Sequence, residues 1–258
     1  MTEPILAVDQ LTKRFDRLTA VDRIDITVAK GEIFGFLGPN GAGKTTTIKM
    51  IAGLLLPTSG RVRICGCDMA AEPLRCKELT GYIPDRPYLY EKLTGSEYLS
   101  FIASLYSAPG RKSHYQDAEQ YLHLFDLWEW RNNLIESYSH GMRQKLIMSS
   151  IFMLDQPLIV VDEPMVGLDP KSARIVKELF KSKARAGTAI FLSTHSMEIA
   201  EELCHRISII RDGALIAGGT LDSLKDLAAD GVENLEDLFL QLTGSFELQD
   251  VVAALRNG

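Results

Sequence analysis

No uncharged apolar run in the 258 residues approaches the roughly 18 needed to span a bilayer, so a membrane-spanning helix is not what organises this chain. Met1-Thr-Glu-Pro has neither a basic region nor an apolar core, so no secretory leader is expected and the chain is read as cytoplasmic. Basic residues do not predominate. With 28 Lys and Arg against 34 Asp and Glu, the net charge of −6 argues against nucleic acid as a partner. Cysteine is scarce: Cys65, Cys67, Cys76 and Cys204 include no C-x-x-C pair, and no His pair stands at finger spacing. They are read as reduced, small apolar residues rather than a metal or redox framework. Internal repeats and low-complexity stretches are also missing. What remains is ordinary for a globular protein, 46% hydrophobic and 24% charged, and long enough for one large α/β domain or a core with an insertion.

Against that background one stretch stands out. Gly38-Pro-Asn-Gly-Ala-Gly43-Lys44-Thr45 fits G-x-x-x-x-G-K-[ST], the phosphate-cradling loop of nucleoside triphosphatases. At average residue frequencies a chain this long matches that pattern by chance about 0.01 times. Ile33–Leu37 ahead of it reads as a buried strand, and Ile48, Ile51, Ala52 and Leu55 behind it recur at helical spacing. Strand, glycine loop and helix thus come in the order phosphate binding needs. Free N–H groups and the positive dipole end at the helix start attract phosphate oxygens, and glycines let the backbone close around them. Lys44 would reach the β- and γ-phosphates and the Thr45 hydroxyl would ligate Mg²⁺.

Taken in order, residues 4–9, 24–28 and 61–65 read as strands of a small antiparallel sheet, with Phe15 between the first two. By spacing alone Phe15 is an ordinary Phe, although its ring could stack on a base. Thr80–Pro84 leads into Asp85-Arg-Pro, where Pro84 and Pro87 stop a helix. Thr94-Gly-Ser-Glu97 is a capping box opening a helix with the stripe Leu99, Ile102, Ala103, Tyr106. Ser107–Ser113 is a polar break before a second helix near residues 115–127, so residues 86–152 read as a helical insertion. Leu158–Val161 is a β-branched run buried on both faces, ending in Asp162-Glu163; Ala189–Leu192 ends in Ser193-Thr194-His195. Asp212-Gly213 signals a hairpin, and from Leu221 the tail reads as helical, with Leu224, Leu227, Leu235, Leu238 and Leu242 as core contacts.

Three strands therefore deliver polar residues at their carboxyl ends, where open α/β sheets bind ligands. Asp162 is placed to hold Mg²⁺ opposite Thr45, and Glu163 to take the proton of an attacking water. His195 could hydrogen-bond the γ-phosphate or that water. Ser139, in Tyr138-Ser-His-Gly-Met142, is a good helix N-cap and begins a second anion-binding helix start.

The whole order, from Phe15 through the loop at 38–45, Tyr138–Met142, Leu158–Glu163 and Gly167-Leu-Asp169 to His195, resembles the ATP-binding subunit of an ABC transporter, of the bacterial export type. The fold implied is α/β: a P-loop NTPase core with a mostly parallel sheet, a flanking antiparallel β-subdomain and an inserted helical subdomain. Its expected division is 1–85 core with the antiparallel part, 86–152 helical subdomain, 153–220 second part of the core, and 221–258 helical tail. The resemblance implies ATP and Mg²⁺ as ligands. Phe15, Gly38, Pro39, Asn40, Gly41, Ala42, Gly43, Lys44, Thr45, Thr46, Ser139 and Gly141 would bind the nucleotide. Thr45, Asp162 and Asp85 would hold the metal, and Glu163 and His195 would be catalytic. It also implies a head-to-tail dimer of such subunits, homo- or heteromeric. Each ATP would lie between one copy's phosphate loop and the other's Ser139 and Gly141, with Asp169 coupling the two sites. An integral-membrane permease is the further partner, which places the chain on the inner face of the membrane.

Two positions depart from the family pattern. The usual Leu-Ser-Gly-Gly-Gln is Tyr138-Ser-His-Gly-Met142, which keeps Ser139 and Gly141. The glutamine that touches metal and water is Asp85. An ATPase driving a separately encoded permease is the first expectation; a nucleotide-gated module with little hydrolysis, favoured by Asp85, is the alternative.

Overall fold

The computed structural model describes residues 3–106, 115–226 and 235–243. In chain order it begins with β1 (Leu6–Phe15), β2 (Leu18–Val28), β3 (Ile33–Leu37), α1 (Lys44–Ile51), β4 (Ser59–Ile64), β5 (Cys67–Asp68), α2 (Pro73–Glu78) and β6 (Thr80–Ile83). Then come α3 (Gly95–Tyr106), α4 (Tyr115–Leu124), α5 (His140–Phe152), β7 (Leu158–Asp162), α6 (Pro170–Arg185) and β8 (Ala189–Thr194). The chain continues with α7 (Met197–Leu203), β9 (Arg206–Arg211), β10 (Ala214–Thr220), α8 (Leu221–Asp226) and α9 (Leu235–Thr243).

The strands form two sheets. An antiparallel one has the order β2-β1-β4-β5, and a six-stranded one the order β10-β9-β3-β8-β7-β6. In the second sheet β9, β3, β8, β7 and β6 run parallel and only β10 is antiparallel, on the edge. Alternation along the central strands divides the core in two. Phe34, Phe36, Leu158, Val160 and Phe191 face the antiparallel sheet and α1, while Ile33, Leu37, Ile159, Val161, Ile190 and Leu192 face the helices. Burial on both faces is why these strands read as unbroken apolar runs. Gly35 lies on the helix side, where a Cβ would stand 2.8 Å from the Cys204 sulfur. Cys204 therefore fills the space a larger residue would need, and its burial pushes the thiol up to about 12. All four cysteines are free thiols, Cys76 and Cys204 buried and Cys65 and Cys67 partly exposed.

Local signals account for the helix ends. The stripe behind the phosphate loop predicts a helix to Leu55, but α1 stops at Ile51. Gly53, at φ +66°, donates to Met50 O (3.2 Å) and Leu54 N to Lys49 O (2.8 Å), a Schellman stop that outweighs the apolar periodicity. Glu97 Oε2 accepts from Thr94 N (2.8 Å) and Thr94 Oγ1 from Glu97 N (3.2 Å), the reciprocal capping box at the head of α3. The first two strands are longer than the sequence indicates: β1 runs through Phe15, which ends the strand rather than lying between strands. Leu224, Leu235 and Leu238 are buried as expected, whereas Ser107–Ser113 and Leu227 lie outside the described residues. Among the described residues no helix is long and apolar enough to cross a membrane.

Candidate nucleotide site

β3, β9, β8, β7 and β6 are parallel, so their carboxyl ends share one edge of the sheet. A cleft of about 500 Å³ opens there. It is lined by Phe15, Asn40, Gly41, Gly43, Lys44, Thr45, Thr46, Asp85, Asp162 and Glu163, all singled out from the sequence, and by Leu18, Thr19, Ala20, Asp212 and Gly213, which were not. The turn Asp212-Gly213 was legible only as a hairpin. It faces the cleft because β9 runs parallel to β3, and Gly213 N donates to Ala42 O at 3.0 Å.

The loop is shaped by close approach. Gly43 sits at φ +110° as the residue before α1, and a Cβ there would lie 2.4 Å from Ala20 O. Gly38 and Ala42 are buried and Pro39 is exposed, and none of the three lines the cleft; a Cβ on Gly38 would meet Ile210 O at 2.4 Å. Lys44 Nζ donates to Gly38 O (2.5 Å) and Pro39 O (3.1 Å). Its burial lowers the ammonium pKa, opposed by the nearby carboxylates of Glu163 and then Asp162. A cation held by two carbonyls of its own loop, with acids opposite, is ready to exchange those carbonyls for anionic oxygens.

On the facing strands Asp162 is 3% exposed, and its Oδ1 accepts from Ser193 Oγ at 2.5 Å. Ser193 is the cross-strand partner of Asp162; the sequence places it among the polar residues at a strand end, but its pairing with Asp162 emerges only from the strand register. Glu163 adopts φ +49°, an uncommon conformation for a non-glycine residue. Its N–H donates to Ser193 O (3.1 Å), and its Oε1 stands 2.9 Å from Nδ1 of the exposed His195. His195 thus reaches the cleft through Glu163. Desolvation of the half-buried Tyr82 phenol pushes its pKa up to about 12, with Asp162 and Asp85 adding to the shift.

Ser139 and Gly141 are not brought into this cleft. Ser139 caps α5, accepting from Met142 N at 3.3 Å, beside a separate hollow lined by Arg86, Pro87, Tyr138, His140 and Arg143. Asp169, half-exposed, caps α6. Its carboxylate accepts from Ser172 N (2.9 Å), Ser172 Oγ (2.6 Å) and Lys145 Nζ (2.9 Å).

A glycine loop and helix start at the head of a parallel sheet, with a buried acid on the neighbouring strands, define a P-loop nucleotide-binding protein. The family model "ABC transporter" matches residues 21–166, more than half of the chain. The daunorubicin/doxorubicin resistance ATP-binding protein DrrA of Streptomyces peucetius is 35% identical over 236 residues, covering 91% of this chain and 71% of that protein. The linearmycin resistance ATP-binding protein LnrL of Bacillus subtilis is 34% identical, covering 98% of this chain and 79% of that protein. The probable multidrug ABC transporter ATP-binding protein YbhF of Escherichia coli is also 34% identical, but this chain spans only 42% of its length. A solved ATP-binding subunit of an ABC transporter superposes with a TM-score of 0.87 at 33% identity, over 92% of this chain and 99% of that one. The chain belongs to the ABC transporter family, among its ATP-binding subunits.

Proposed function

We propose that the chain binds and hydrolyses ATP to power a separately encoded membrane permease, in an exporter. The observation that carries this reading is the convergence of Lys44, Thr45, Asp162 and Glu163 on one cleft, with Glu163 held by His195. The names of DrrA and LnrL as drug-resistance ATP-binding proteins support export as the direction.

In this reading the loop N–H groups and Lys44 bind the phosphates, and Phe15, half-exposed at the end of β1, offers a face to the base. Glu163 takes the proton of the attacking water, and His195 orients its carboxylate. Thr45, Asp162 and Asp85 supply hard oxygen donors on the same cleft, which fits Mg²⁺. Among the described residues no group of three or more His, Cys, Asp or Glu is arranged to hold a metal alone. That suits an ion shared with phosphates, since Mg²⁺ needs only one or two carboxylates beside them. When bound it would neutralise charge on the phosphoryl oxygens.

The position of Ser139 and Gly141 outside the cleft favours a head-to-tail second copy that brings them to the nucleotide. For the permease, a groove of about 330 Å³ that includes Tyr82, Tyr88, Tyr98, Ile102, Tyr106 and Ile147 offers an aromatic seat between the core and the helical segment 86–152. The chain would then work at the inner membrane surface. Asp85 in place of glutamine favours the second reading, a nucleotide-gated module with little hydrolysis. A steady-state ATPase assay separates the two. Glu163→Gln should keep ATP binding and slow hydrolysis by roughly 10²–10⁴-fold, the usual worth of a general base. A wild-type chain that binds ATP without turnover, or a Glu163→Gln variant that hydrolyses normally, would overturn the enzyme reading.

A further inference from the structure

His140 stands where the family has glycine, and the site reading gives it no task. Its contacts supply one. Gly167, at φ +78°, lies in the loop after Glu163, and a Cβ built on it would meet His140 Cδ2 at 2.4 Å and Nε2 at 3.0 Å. The edge of the imidazole therefore rests on the glycine backbone. In return, a Cβ on Gly141 would stand 2.8 Å from Gly167 O. Two residues of the first turn of α5 thus touch one residue of the loop. A turn further along, Lys145 of α5 holds Asp169, the last residue of that loop, at 2.9 Å.

At its other end the loop is fixed to the sheet. Glu163 N donates to Ser193 O (3.1 Å), Val166 N to Glu163 O (3.3 Å) and Leu168 N to Met165 O (3.3 Å). Only Pro164, Met165 and Val166 separate Glu163 from Gly167. The proline ring fixes one dihedral of that short span, and the two turn bonds restrain the rest. A shift of the α5 start against Gly167 has little slack to be absorbed in before it reaches Glu163, whose own backbone sits at an uncommon φ.

We infer that His140 is a positioning residue for Glu163: by bearing on Gly167 it holds the loop in register with the first turn of α5, so that engagement of that turn sets the placement of the water-activating carboxylate. This rests on the reading of Glu163 as the base. His140 acts within its own subunit and touches no reacting atom. A ring, not a charge, is what the contact requires.

The test is MgATP hydrolysis by the full chain, with binding of a trinitrophenyl derivative of ATP measured in parallel. His140→Gly should lower kcat about 3- to 30-fold, the range seen when a coupling element is loosened. KM and the affinity for the analogue should stay within about twofold, because no ground-state contact is lost. His140→Phe, which restores a flat ring over Gly167, should recover most of the rate. Gly167→Ala should reproduce the loss, and His140→Gly/Gly167→Ala should be no slower than the slower single variant. In a Glu163→Gln background, His140→Gly should cost nothing further. A full additional loss on top of a slow Glu163→Gln overturns the inference alone, as does a raised KM at constant kcat or a Phe variant no better than Gly. A Glu163→Gln chain that hydrolyses normally overturns the assignment of the base and the inference with it.

Discussion

Removing the Asp169 carboxylate should destabilise the fold by an amount the structure lets one work out. Asp169 caps α6 through Ser172 N, accepts from Ser172 Oγ and pairs with Lys145, whose side chain is 14% exposed against 50% for Asp169. Loss of an Asp N-cap to alanine costs about 1 kcal/mol. A half-exposed ion pair is worth roughly 0.2–1 kcal/mol after solvent screening, and a net side-chain hydrogen bond about 1 kcal/mol. All three share one carboxylate and do not add fully, so Asp169→Ala should cost about 2 kcal/mol, or roughly 4–8 °C in Tm for a chain of this size. Asn caps about as well as Asp, so Asp169→Asn should lose only the charge, about 0.5–1 kcal/mol. The bonds from Ser172, then the Lys145 ammonium, hold the carboxyl well below its ordinary value of 3.8. The folded state therefore favours the ionised form. Its stabilisation is complete above the unfolded value and is lost as pH falls from about 4 toward the folded one. Urea unfolding followed by circular dichroism, without nucleotide so that binding adds nothing, should show a constant gap between wild type and Asp169→Ala from pH 8 to 5 that narrows below. Equal midpoints would refute the cap, and an Asn variant as damaged as the Ala variant would assign the effect to the ion pair instead.

Two further outcomes are expected. Lys44→Ala removes the cation that faces the phosphates and should abolish nucleotide binding or at least hydrolysis; unchanged ATPase activity would sink the phosphate-loop assignment. Thr94→Ala breaks the capping box of α3 and should cost about 1 kcal/mol, roughly 2–4 °C in Tm, while ATPase activity per folded molecule is retained; an unchanged melting temperature would mean the reciprocal bonds contribute nothing.

Legibility followed how local the determinant was. The phosphate loop, the capping box, the three apolar strands and the hairpin at Asp212-Gly213 are each written within a few consecutive residues, and each has the form the sequence indicates. Helix α1 was overestimated because Gly53 stops it within a stripe that continues to Leu55. Residues that act through pairing were hidden. Ser193 matters because of its register with Asp162, and Leu18–Ala20 because the strand after Phe15 folds back over the loop. Neither relation exists until strands pair. Ser139 and Asp169 show the reverse: their helix-capping chemistry was visible in the residue type, while the inter-subunit roles implied by resemblance lie in contacts a single chain does not contain.

Charge in the cleft bears on Asp85. Among the described residues, Lys44 is the single basic residue lining it, against Asp85, Asp162, Glu163 and Asp212, a formal excess of three negative charges. A polyphosphate entering alone would meet that excess. Entering with a divalent cation it would not, so metal and nucleotide should bind together. Asp85 adds a carboxylate where the family has a neutral amide, and it lines the same cleft as Thr45 and Asp162. Asp85→Asn should therefore raise the Mg²⁺ concentration for half-maximal ATPase, by up to about tenfold, the lower end of what loss of an outer-sphere partner costs. Asp85→Gln, with the longer amide, should keep or raise turnover. If Asp85 merely caps the turn between Pro84 and Pro87, both variants will shift the melting temperature and leave the Mg²⁺ titration where it was. Rate against Mg²⁺ for the three proteins at saturating ATP decides between charge and turn.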